Sequence, residues 1–384
     1  MTTMRIVHLI SGLGQGGAET VLTRLVTHSS QENIVVSFGD EGSMGALLKQ
    51  AGVSVYCLHM RAGSIGIGDL FRLVQLLKKL QPDVVQTWMY HADFFGGIAA
   101  WLAGCRHIAW GIRNSGDSLK ASSKTSYYLA RVSAFFSRFI PQRIIVCGEK
   151  AAQVHATWGY CRQKMQVIQN GYDLSKWQED KDAATVLRQQ WGVATDTPVL
   201  GFVARWNPLK DHASLIKAFA MVKQAYPEVV LVLVGKGLDK DNQALQGLLQ
   251  QEQVQQDVLL LGMCSDVPAI MSALDIHVLS SIAEGFPNVV CESMACKTPN
   301  VVTDVGDAAL IVGAYGWVAQ PHNPMDLADK IKQALATLGK PYADADQLQY
   351  FEQLQQQARQ SVLERFSLPI MVQHYEQAWR SMLD

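Results

Sequence analysis

Four ionisable side chains in the second half of the chain have the types and spacing to handle a phosphorylated ligand. Arg205 and Lys210 stand in the run Ala204-Arg-Trp-Asn-Pro-Leu-Lys-Asp211, just after an apolar β-branched stretch. That is the strand end at which open α/β sheets hold ligands. Two cations suit a diphosphate leaving group, which gains negative charge as its bond breaks. Arg can hold it bidentately, so a bound metal is unnecessary. The alternative is a surface pair neutralised by Asp211. Glu284 and Glu292 lie in Ser281-Ile-Ala-Glu-Gly-Phe-Pro-Asn-Val-Val-Cys-Glu292, which reads as a loop feeding a helix that starts around Pro287 and Asn288. Glu284 then faces sugar hydroxyls from the loop, and Glu292, about a turn inside the helix, faces a ribose. The backbone N–H groups between them meet phosphate. Alternatively, Glu284 caps the helix and Glu292 is solvated.

The first half offers a second set. Gly12-Leu-Gly14-Gln-Gly16-Gly17-Ala-Glu19 follows a strand and precedes a helical pattern. Such glycines let backbone approach a ligand, and the helix N-terminus presents free N–H groups to a phosphate. The stretch also satisfies GxGxxG, and Asp40 lies where a dinucleotide fingerprint wants its ribose-binding acid, so an NAD-linked oxidoreductase is an alternative. In Trp88-Met-Tyr-His91-Ala-Asp93, His91 sits where the fourth strand gives way to a helix, placed to hydrogen-bond a sugar hydroxyl or stand near an oxocarbenium-like centre. A structural histidine is the alternative. The Asp-x-Asp pairs 180/182, 239/241 and 344/346 lie in polar linker or helical surroundings and do not read as a divalent-metal clamp.

These residues need a scaffold, and the apolar runs supply one. β-Branched runs recur at Arg5–Ile10, Asn33–Phe38, Val53–Leu58, Asp83–Trp88, His107–Ile112, Arg143–Cys147 and Met165–Ile168, and again at Val199–Ala204, Val229–Val234, Val258–Leu261, Ile276–Leu279 and Pro299–Val302. Helical patterns separate them, which predicts two consecutive α/β, doubly wound, Rossmann-like domains with parallel sheets. The expected boundaries are 1–172 for the first domain, 173–197 for a polar linker, 198–366 for the second domain and 367–384 for a last helix. The Gln-rich stretch 347–359 reads as helix because Leu354, Ala358, Val362 and Phe366 recur at helical spacing.

Composition narrows the field. Lys and Arg number 33 against 34 Asp and Glu, so no global field invites nucleic acid. Seven cysteines form no CxxC pair, which argues against a zinc site and fits a reducing compartment. The segment Met1–Ile10 lacks the length of a signal-peptide core. The apolar uncharged stretch Phe94–Cys105 is 12 residues, short of the roughly 20 a spanning helix needs. A cytoplasmic protein, peripheral at most on the inner face of the cell membrane, is expected.

Taken in order, Gly16-Gly17-Ala-Glu19, Trp88–Gly97 around His91, Asn170-Gly171, Arg205 with Lys210, Val234-Gly235, Leu261-Gly262 and Glu284-x7-Glu292 resemble the family-4 retaining glycosyltransferases of GT-B fold, nearly end to end. The resemblance implies two Rossmann-like domains facing across a cleft. It places the donor mainly in the second: Arg205 and Lys210 on the diphosphate, Glu284 on the sugar, Glu292 on the ribose, and Asn288 and Val289 offering backbone groups. Gly16, Gly17 and His91 would complete the site without a metal or other cofactor, and the last helix, around Ile370–Leu383, would pack back on the first domain. The implied reaction is retaining transfer of a hexose or N-acetylhexosamine, from a UDP-sugar rather than a GDP-sugar, in building surface polysaccharide. A non-catalytic nucleotide-sugar-binding module on the same fold is a further alternative. Two departures bear on acceptor fit and loop shape: some members carry His in place of Trp88, and many carry Gly in place of Asp211.

Between Leu119 and Arg143 lie five basic residues, Lys120, Lys124, Arg131, Arg138 and Arg143, and no acidic ones. Lys124, Arg131 and Arg138 recur every seven residues and so share a helical face, beside a stripe of Tyr128, Val132, Phe135, Phe136 and Phe139. That face either rests on anionic lipid and presents a lipid-linked saccharide, as bacterial relatives of this kind do, or is a solvated basic face over a packed aromatic core.

Overall fold

Runs of Val, Ile and Leu buried on both faces become the strands of two parallel sheets in this computed structural model, which describes residues 3–60, 66–114, 116, 119, 123–339 and 345–384. The chain divides into two units, 1–171 with 368–384, and 172–367.

In the first unit, β1 (Arg5–Ile10), β2 (Glu32–Ser37), β3 (Ser54–Cys57), β4 (Val84–Trp88), β5 (Ile108–Ile112), β6 (Arg143–Val146) and β7 (Met165–Val167) stand in the order β3-β2-β1-β4-β5-β6-β7. The direction of winding reverses between β1 and β4, where doubly wound sheets take their ligands. The glycine run follows β1 and His91 follows β4, so the fold delivers both to this switch point.

The second unit repeats the plan. Its strands are β8 (Val199–Val203), β9 (Val230–Val234), β10 (Val258–Gly262), β11 (Ile276–Leu279), β12 (Asn300–Thr303) and β13 (Gly316–Ala319), in the order β10-β9-β8-β11-β12-β13. Here the reversal lies between β8 and β11. Arg205 and Lys210 follow the first of these strands and Glu284 the second.

The polar stretch 173–197 is not the bare linker expected. It contains the helix Lys181–Gln190, capped by Asp180 Oδ1 on Ala183 N at 2.9 Å. Leu187, Trp191 and Val193 pack against the second unit's core, and Arg188 Nη2 donates to Asp275 Oδ2 at 2.6 Å. Apolar positions spread this thinly gave no strand signal and a weak helical one. The edge strand β13 escaped notice because Gly-Trp-Val-Ala is short and shows no alternation.

The helix Ala345–Phe366 buries Phe351, Leu354, Ala358, Val362 and Phe366 in the second unit. Tyr172 forms a parallel bridge with Ser367, and its N–H donates to Phe366 O at 2.9 Å, so the chain enters and leaves this unit at one place. The last helix, Leu368–Arg380, belongs to the first unit. Its Tyr375 and Trp379 are fully buried there, and Glu376 accepts from Ser29 Oγ and Ser30 N, each at 2.8 Å. An aromatic so buried resists truncation by roughly 3–5 kcal/mol.

Candidate functional site

Beyond β8, Arg205 is exposed, with no partner among the described residues. Trp206 anchors this bend, its ring 4.5 Å from that of His212 and its N–H on Lys236 O at 2.8 Å. Asn207 Oδ1 caps the single turn Pro208–Lys210 through Leu209 N at 2.9 Å. Asp211 then adopts a left-handed conformation, φ 46 and ψ 56. Glycine takes that conformation at least cost, but a short Asx side chain tolerates it. Asp211 also caps the helix His212–Lys223 through Ser214 N at 3.2 Å, so the departure at this position preserves the turn.

Lys210 does not pair with Asp211. Its ammonium group donates to Glu284 Oε1, which also accepts from Ser281 Oγ at 2.7 Å. With the two side chains 21% and 14% exposed, salt screens this pair poorly. Two further bonds lace the β8 and β11 loops together: Ser280 Oγ donates to Lys210 O at 2.8 Å, and Ile282 N to Leu209 O at 2.9 Å. Behind them, Gly306 has φ 54, and a Cβ there would lie 2.4 Å from Gly285 O and 2.5 Å from Glu284 O. Only glycine fits behind the Glu284 loop. Sequence reasoning gave Ser281 and Gly306 no role: Ser281 was quoted within the motif, and Gly306 shows only as a turn residue.

The helix Asn288–Ala295 begins as expected, with Pro287 at its cap, and Glu284 is engaged by Lys210 and Ser281 instead of capping it. Glu292 lies a turn inside, half-buried, as is Val289 in the first turn. Asn288 Oδ1 accepts from Tyr172 OH at 2.7 Å. The unit therefore gathers a paired Lys–Glu, an Arg with no partner among the described residues and a helix start at one sheet end. Such a set can hold a diphosphate and hydroxyls together.

In the first unit, Gly16 is the extended cap of the helix Gly17–His28. A Cβ on Gly12, Gly14 or Gly17 would meet nothing within 4 Å, so at these positions the missing side chains leave open space. Gly42, at φ 56, is by contrast tightly packed, with Leu13 O 2.2 Å from a would-be Cβ. Asp40 pairs with exposed His59 at 2.6 Å.

His91 closes the turn after β4 and is half-buried, which lowers its pKa. The neighbouring side chains are structural. Trp88 is fully buried, stacked on Tyr375 at 5.9 Å, with its Nε1 donating to His8 Nδ1 at 3.2 Å. Tyr90 OH bonds His155 Nε2 at 2.9 Å. Asp93 is buried in the π-helical turn 92–96. Its Oδ1 accepts from Thr87 Oγ1 at 2.5 Å and Gly111 N at 3.0 Å, while Oδ2 has no partner.

Burial pushes the Asp93 carboxyl up to about 8 from its usual 3.8. An acid raised on folding stabilises the fold fully only below its unfolded pKa, and that contribution is lost as pH climbs from 3.8 to about 8. Asp93→Asn keeps the acceptor and cannot ionise. Denaturant unfolding should therefore show the variant gaining on the wild type between pH 5 and pH 8.5; parallel pH profiles would mean that Asp93 is ionised throughout.

The basic segment departs from expectation. The helix runs Lys124–Phe136, so Arg138 and Phe139 fall in the following turn rather than on the helical face. Phe136 packs against the first unit's core, but Tyr128, Val132, Phe135 and Phe139 are 46–67% exposed, so the packed aromatic core holds for Phe136 alone: within the helix, Tyr128, Val132 and Phe135 share one exposed face with the cations Lys124 and Arg131. Lys120 and Asp344 lie outside the described residues. Among the described residues, no group of three or more His, Cys, Asp or Glu is placed to hold a metal ion, and no helix is long and apolar enough to cross a membrane. Cys57, Cys105, Cys161, Cys264, Cys291 and Cys296 are free thiols.

A family model described as Glycosyltransferase Family 4 matches residues 15–176, and one described as Glycosyl transferases group 1 matches residues 184–346. The chain is 26% identical to a putative glycosyltransferase, EpsF of Bacillus subtilis, over 78% of this chain and 79% of that one. It is also 26% identical to the UDP-Gal:alpha-D-GlcNAc-diphosphoundecaprenol alpha-1,3-galactosyltransferase of Escherichia coli, over 67% of each. The crystal structure of Anabaena Alr3699/HepE in complex with UDP shares the fold, with a TM-score of 0.85 at 24% identity over 98% of this chain and 100% of that one.

Proposed function

We propose, from the premise that this chain belongs to the family-4 glycosyltransferases of GT-B architecture, that it moves a hexose or N-acetylhexosamine from a UDP-sugar to a lipid-linked saccharide in surface-polysaccharide assembly, with retention and without a metal. The observation that carries the reading is the cluster beyond β8 and β11, where Lys210 is paired with Glu284 beside the unpaired Arg205. Arg205 and Lys210 take the diphosphate, Glu284 the sugar hydroxyls, and Glu292 the ribose. As the C1–O bond breaks, its electron pair goes to the diphosphate, and the two cations stabilise the new charge in place of a metal. The acceptor hydroxyl forms its bond to C1 from the face the diphosphate leaves, and its proton passes to the departing phosphate oxygen. His91 stands by the developing positive centre as a neutral hydrogen-bonding group, in keeping with its lowered pKa.

The UDP-sugar and the diphospholipid acceptor are supported by the Escherichia coli relative, whose name carries both. The exposed face of Lys124, Tyr128, Arg131, Val132 and Phe135 supports peripheral contact with the inner face of the cell membrane.

Thermal unfolding with UDP, GDP, ADP or NAD, each in Mg²⁺ and in EDTA, tests the donor reading. Ligand at about 100 times its Kd stabilises by roughly 2.7 kcal/mol, a shift of a few degrees. The expected result is a UDP shift that persists in EDTA. A shift that needs Mg²⁺ overturns metal independence, and a shift with NAD alone overturns the reading as a whole.

A further inference from the structure

At the carboxyl end of β5 stands Arg113, half-buried and with no acid beside it among the described residues. Its Nη2 donates to Asn170 Oδ1, beyond β7, and its Nη1 to Tyr375 OH at 3.3 Å. Its guanidinium carbon lies 5.7 Å from the centre of a Trp88 ring. All three neighbours are neutral: they fix the plane of the guanidinium and leave its charge uncompensated. A partly desolvated cation without a counter-charge is costly, yet this one is held in place from three elements, while its remaining N–H donors have no acceptor among the described residues. It also sits at the sheet end that carries His91 and the glycine run.

We propose that Arg113 is an anion-binding residue that takes a phosphate or diphosphate ester of the acceptor, held ready by Asn170 and Tyr375. This rests on the glycosyltransferase reading, in which Arg205 and Lys210 of the other unit already serve the donor diphosphate. The same chemistry could come from either substrate, and the experiment separates the two.

Calorimetric titration of the full-length protein with inorganic pyrophosphate, after saturation with UDP, reads the second anion site alone. Pyrophosphate should bind the UDP-saturated wild type, and Arg113→Gln should weaken it by about 10- to 100-fold, the worth of one or two charge-assisted hydrogen bonds. Arg113→Lys should recover part of the affinity. Asn170→Asp keeps the packing and seats a carboxylate on the guanidinium, so it should weaken pyrophosphate as Arg113→Gln does, even if the latter folds poorly. UDP affinity should be the same in all four proteins. Pyrophosphate affinity unchanged in Arg113→Gln or Asn170→Asp overturns the proposal, as does its absence in the UDP-saturated wild type. A matching fall in UDP affinity also overturns it, by assigning Arg113 to the donor. Failure of the glycosyltransferase reading looks different: the wild type itself would not bind UDP.

Discussion

Lys210→Ala should lower kcat by about 100- to 1000-fold, the range for removing one preorganised group that meets developing charge. Before the donor binds, the Lys210 ammonium is held by Glu284, itself fixed by Ser281. The group is therefore oriented at little further entropic cost when the diphosphate arrives. Because the leaving group's charge grows through the reaction, the loss should fall on kcat more than on KM. The substitution also strands a shielded Glu284 carboxylate, which Glu284→Gln relieves in part. The double variant should therefore fall short of the sum of the singles, with a coupling of about 1–3 kcal/mol. Steady-state UDP release measures all four proteins. A kcat for Lys210→Ala within tenfold of wild type would remove Lys210 from contact with the leaving group.

The second large effect lies far from the chemistry. Reversing Lys124, Arg131 and Arg138 to Glu should abolish co-sedimentation with vesicles rich in anionic phospholipid. Each basic residue near such a surface contributes about 1 kcal/mol, so loss of three alone costs at least about 100-fold, before the repulsion from three new acids. That Arg138 sits in the turn after the helix does not withdraw it, since it is exposed beside Phe139. Phe135 and Phe139, 61% and 67% exposed, add apolar anchorage that charge reversal leaves intact. Residual binding to uncharged vesicles would measure that part. Equal binding of the triple variant and the wild type to anionic vesicles would end the membrane reading.

How much of this was legible beforehand followed the range of the signal. Strands covered on both faces announce themselves as unbroken apolar runs, and the residues that follow β4, β8 and β11 inherit their place from those strands. Arg205, Lys210, Glu284 and His91 were found in that way. The helix Lys181–Gln190 and strand β13 were missed because their apolar positions are few, and their burial is decided by partners distant in sequence. The end of the basic helix at Phe136 was missed because apolar periodicity continues past it to Phe139. Gly306 is required by backbone 21 and 22 positions earlier, at Gly285 and Glu284, and no local pattern predicts that closeness. Arg113 meets Asn170 and Tyr375 across 57 and 262 positions, a spacing no motif encodes.

The bridge from Tyr172 to Ser367 makes the second unit an insertion within the first, whose helix Leu368–Arg380 is synthesised only after the whole of the second unit. During translation the first unit must therefore wait, with the surface meant for Tyr375 and Trp379 uncovered, while the whole of the second is made. Domains that fold in order of emergence would do so here in reverse: the second unit closes first, and the first is completed only once the helix Leu368–Arg380 has emerged. Until that helix emerges, a finished 172–367 unit is tethered to an unfinished first unit, and in that interval the uncovered apolar surface of the first is open to chaperones.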